Sequence, residues 1–92
     1  MKVVAETLVR NNDYDSLFKK RDWVSIALVE SFGVYSVIES LKYHYVNIDY
    51  TVCRSELIME GTDNLDLAQG VYFSRIEKWR ETYKEREHVH QN

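Results

Sequence analysis

One segment constrains this chain more than any other: residues 23–46, WVSIALVESFGVYSVIESLKYHYV. A membrane-spanning helix needs about 20 consecutive apolar residues. Glu30, Glu39 and Lys42 interrupt every such window, and the longest charge-free runs are Trp23–Val29 and Ser31–Ile38. The segment therefore belongs to a water-soluble core or to an interface.

Placed at 100° per residue, it gives a stripe of Trp23, Ala27, Val34, Val37, Ile38, Leu41 and Tyr45, with Asp22 as N-cap. A second apolar group, Val24, Leu28, Phe32 and Tyr35, falls on the other side. This reading predicts a helix over about 23–43 that is apolar nearly all round in its first half and so sandwiched between other elements. The second group exceeds what a small domain needs to cover, and Val24, Leu28, Phe32 and Tyr35 are the expected self-association surface.

The clearest periodicity lies further on. Leu65, Ala68, Tyr72, Ile76, Trp79 and Tyr83 recur at spacings of three and four, opposite Glu77, Glu81, Lys84 and Glu85. The pattern predicts an amphipathic helix over about 64–87, started by Asp63 or Asn64. Residues 44–53, HYVNIDYTVC, alternate as a strand does, although the helical stripe continues through Tyr45, Ile48 and Val52. Residues 2–9 fit either a strand or a helix, residues 13–21 suggest a short helix, and SELIME at 55–60 suggests a helical turn. The absence of Pro and the presence of only three Gly favour helix. The expectation is an α+β domain, mostly helical. It has two long packed helices (about 23–43 and 64–87), a short N-terminal helix and one or two short strands (about 44–53, with 2–9 as the second).

A chain of 92 residues has room for one core, here residues 1–87, with 88–92 as a frayed tail. The net charge of −3 singles out no partner. Cys53 is the sole cysteine, so no internal disulfide can form, and a reducing, cytoplasmic setting is expected. The N-terminus meets Glu6 too early for a signal peptide.

Motifs for chemistry are sparse. The chain has no phosphate loop, dinucleotide turn, paired-cysteine motif or HExxH. Cys53 and His44 as nucleophile and base would lie on opposite faces of one strand, so a small buried or half-buried thiol is preferred. Glu85, His88 and His90 have the Glu-x-x-His spacing of di-iron bundles, but one copy at a helix end does not make a closed metal site. No catalytic residue, metal site or cofactor is assigned.

Glu30 falls inside the apolar stripe and needs a partner. Arg75 and Arg80 flank the stripe of the last helix, and a buried ion pair fixing helix register is expected between Glu30 and one of them. Lys19, Lys20 and Arg21, between Phe18 and Trp23, form a small basic patch suited to nucleic acid. The residues thus point to a non-enzymatic protein–protein interaction protein, a homo-oligomer acting as adaptor or inhibitor of a larger macromolecule. A small nucleic-acid-binding regulator is the alternative. A membrane partner is not expected.

Overall fold

The structure, a computed structural model, describes the backbone of residues 1–14 and 16–90, and the side chains of 1–9, 14 and 16–82. Four strands, β1 (Lys2–Tyr14), β2 (Lys19–Ser31), β3 (Val34–Tyr45) and β4 (Tyr50–Thr62), are followed by one helix, α1 (Leu65–His90). The strands form an antiparallel meander in the order β1-β2-β3-β4, and α1 lies across one face. Among the described residues, no helix is long and apolar enough to cross a membrane.

This corrects the expectation of a mostly helical domain with two long helices. Among the described residues, only the C-terminal helix forms. Residues 23–43 are instead the body of a hairpin, β2 and β3, turning at Phe32-Gly33. Both turn residues have positive φ, 52° and 77°, as a two-residue type I′ turn requires. The expected short helix at 13–21 is the end of β1, the β1–β2 connection and the start of β2, and SELIME is the interior of β4. The expected strand at 44–53 is the end of β3 and the start of β4, separated by a turn at 46–49. Residues 2–9 are strand.

Alternation explains the core. Val24, Ile26 and Leu28 on β2 and Val37 on β3 point toward α1 and are at most 1% exposed. Val9 joins them from β1. The helix contributes Ala68, Tyr72 and Ile76, all buried, with Leu65 and Trp79 half-buried beside them. Thus the 3.6-residue stripe read from the sequence faces the sheet through Trp79; the side chain of Tyr83 lies outside the described residues. Asn64 caps α1, its Oδ1 accepting from the Leu67 amide at 3.1 Å. The backbone is helical through His90, and residues 91–92, part of the expected frayed tail, lie outside the described residues.

Candidate interaction surface

Strand register sorts the described side chains of the sheet onto two faces. Toward the helix, four rows run across the strands: Ala5–Leu28–Val37–Met59, Thr7–Ile26–Glu39–Glu56, Val9–Val24–Leu41–Arg54 and Arg21–Tyr43–Val52. The alternate rows face away from it: Glu6–Ala27–Ile38–Leu57, Leu8–Ser25–Ser40–Ser55, Trp23–Lys42–Cys53 and Tyr14–Lys20–His44–Thr51.

On the helix side one polar group is built into the core. Glu39 is only 2% exposed. Arg75 donates to both its oxygens, Nε at 2.9 Å and a terminal nitrogen at 3.1 Å, and the Trp79 indole N–H donates to Oε1. Burial by itself raises this carboxyl. The hydrogen bonds from Arg75 and Trp79, with the charges of Arg75 and Lys78, outweigh it and hold Glu39 below its usual value. The Arg75 guanidinium is raised, chiefly by its hydrogen bond to Glu39. A second cross-link joins Thr7 Oγ1 to the Tyr72 hydroxyl at 2.6 Å. Fully engaged, the Glu39 cluster orients α1 on the sheet; it has no free acid or base for chemistry.

The expected ion pair at Glu30 is therefore formed at Glu39 instead. Glu30 sits near the end of β2, half-buried, opposite Lys2 and Tyr35. Arg75 is a partner as expected, but of a different carboxylate, and Arg80 is exposed. The sequence contains the signal that was missed: Glu39 lies two residues from both Val37 and Leu41, in phase with a strand's inward positions.

The four residues expected to form one interface do not share a surface. Val24 and Leu28 are core, Tyr35 packs half-buried against the core, and Phe32 projects from the hairpin apex fully exposed. The basic triplet is split as well. Lys19 lies over the Tyr43 ring at 4.3 Å and Arg21 over the Trp79 ring at 4.8 Å, both on the helix side. Lys20 is on the other face, beside His44.

Cys53 and His44 lie on neighbouring strands and share the open face, not opposite faces of one strand. Their diagonal register spaces them about 7–8 Å apart at the backbone, beyond a nucleophile–base hydrogen bond without rearrangement. His44 is otherwise held, Nδ1 to Thr51 Oγ1 at 2.9 Å and Nε2 to Asp49 at 3.3 Å. Asp49 is 96% exposed and adopts positive φ in the 46–49 turn, so this trio reads as a clamp on a hairpin turn. Among the described residues, no group of three or more His, Cys, Asp or Glu is placed to hold a metal. The side chains of Glu85, His88 and His90 lie outside the described residues.

What remains is surface. The open face carries Leu8 and Leu57, 55% and 53% exposed, with half-buried Trp23, Ala27 and Ile38 between them. Its small hydroxyls pair across strands: Ser25 donates to Glu6 at 2.9 Å, and Ser40 and Ser55 are 2.9 Å apart. On the other side, a groove of about 500 Å³ runs between α1 and β4, lined by Ile58, Leu67, Gly70 and Val71 with Arg75 and Lys78 at one end. No protein-family model, curated protein or solved structure matches this chain.

Proposed function

We propose that this protein works by binding: a non-enzymatic, cytoplasmic homo-oligomer that serves as adaptor or inhibitor of a larger macromolecule. The observation that carries this reading is the uncovered side of the sheet. One helix covers one face. The other presents Leu8, Ala27, Ile38, Leu57 and Trp23 as a connected, partly exposed apolar surface with small residues at its centre, the composition of a face that packs on another flat surface. Phe32, wholly exposed at a hairpin apex in backbone that disfavours it, is a further apolar contact offered to a partner. The cytoplasmic placement rests on the single cysteine. Light scattering on the intact chain at micromolar concentration tests the oligomer. A mass of twice the chain's 11.0 kDa or more is expected, and a monomer mass across the concentration range overturns it.

A second reading is supported by one half of the same face. Register brings Lys42 beside Trp23 and Lys20 beside His44, with half-exposed Tyr14 in the last row. Cations around aromatic rings suit single-stranded nucleic acid. Titrating a labelled single-stranded oligonucleotide at two salt concentrations separates the readings: salt-sensitive binding abolished by Lys42→Glu favours nucleic acid, and no binding at low salt removes it.

A further inference from the structure

We propose that β4 is the strand through which two copies join, antiparallel and related by a two-fold axis at Ser55, giving one continuous eight-stranded sheet. This rests on the homo-oligomer reading and assigns the joining of like chains to the sheet edge, leaving the open face for the larger partner.

The sheet has two edges, and they are not equivalent. β1 is interrupted by register shifts at Val3/Ala5 and at Arg10/Asp13, the kind of irregularity that blunts an edge. β4 stays in register with β3 from Tyr50 to Leu57 and shifts only beyond it. It is 13 residues long and contains neither Pro nor Lys, the usual edge protections.

Charge selects the register. In a two-fold antiparallel pair, a residue at the axis faces its own copy, and its neighbours face each other in reverse order. An axis at Arg54 or at Glu56 sets like charges face to face. An axis at Cys53 sets Arg54 against the partner's Val52 and Glu56 against the partner's Tyr50. The register shift beyond Leu57 intervenes for an axis at or past Leu57. An axis at Ser55 sets Arg54 against the partner's Glu56, and by symmetry does so twice. Both residues are exposed and both belong to rows on the helix side, so their side chains meet on one face. The Arg54 side chain makes no ion pair or hydrogen bond with a described residue, and Arg75, which also attracts Glu56, is already bound to Glu39.

The neighbouring rows agree. On the open face, Leu57 meets the partner's Cys53, and the Ser40–Ser55 pair continues into its own copy through small side chains. On the helix side, Ile58 meets the partner's Val52. Ile58 lines the groove beside Gly70, where a Cβ would touch nothing within 4 Å, so Val52 extends that groove's apolar wall across the axis.

The test uses the whole chain. Arg54→Glu and Glu56→Arg should each weaken the dimer at least tenfold by light scattering or sedimentation, and the double variant should restore it. Leu57→Cys, oxidised mildly with copper–phenanthroline, should give a disulfide-linked dimer through Cys53 of the partner subunit, because directly opposed strand positions lie within disulfide reach. Wild type and Leu57→Cys/Cys53→Ser should not cross-link. A dimeric wild type indifferent to both charge reversals, a double variant that stays dissociated while keeping its native circular dichroism, or cross-linking that does not need Cys53 overturns this edge and register, leaving the homo-oligomer reading in place. A monomeric wild type overturns both.

Discussion

Replacing Glu39 is the sharpest test of how the helix is held. The carboxylate is 2% exposed and accepts from Arg75 twice and from Trp79 once. Breaking a buried ion pair by removing one partner costs roughly 3–5 kcal/mol. Here the orphaned Arg75 is 24% exposed and regains some water, so Glu39→Ala should cost about 3 kcal/mol. Glu39→Gln keeps an acceptor for the Trp79 indole and should cost about 2 kcal/mol, the range for hydrogen bonds to charged groups. Either is a large fraction of the roughly 5–15 kcal/mol that holds a domain together. The effect must depend on pH. Glu39 is held below its ordinary value near 4.5, so the unfolded chain binds the proton more tightly. The stabilisation is fully present above that value and is lost as the pH falls through the folded-state value. Urea unfolding at pH 7 should show the full difference between wild type and Glu39→Gln, and the difference should shrink below about pH 4.5. A difference that is absent at pH 7, or constant down to pH 3, would refute the account.

Three other substitutions probe the fold. Phe32→Asn should stabilise by about 1 kcal/mol, because Asn tolerates the left-handed conformation that Phe32 holds while fully exposed; an unchanged melt would show that the turn is not strained. Gly70→Ala should stabilise by about 1 kcal/mol and raise the melting temperature by about 4–8 °C, since the helix gains and the new methyl meets open space; a lowered melting temperature would contradict that packing. Ile26→Ala should cost about 2–5 kcal/mol in urea, whereas Ala27→Ser, one residue on and facing away from the helix, should cost less than about 1 kcal/mol; equal costs would contradict the assigned strand faces.

The C-terminal helix was legible in the sequence because its signal is local. Leu65, Ala68, Tyr72, Ile76 and Trp79 keep a 3.6-residue period against a charged opposite face, and Asn64 supplies the cap. The β2–β3 hairpin was not legible, for a physical reason. Its outward positions, Ala27, Val29 and Ile38, are themselves apolar, so the inward alternation of Val24, Ile26, Leu28 and Val37 was hidden in a continuous hydrophobic run that a helical projection fits equally well. The turn was masked because Phe32 stands where Asn or Asp usually marks a type I′ turn. Few Gly and no Pro favoured helix, but four strands of 12–13 residues need only three short connections. Tertiary structure alone decided that Arg75 pairs with Glu39 and not Glu30, that the Lys19–Arg21 run divides between two faces, and that Arg54 and Glu56 stand together on a free edge. Those outcomes depend on register between segments distant in sequence, and a shift of one residue would exchange the two faces of a strand.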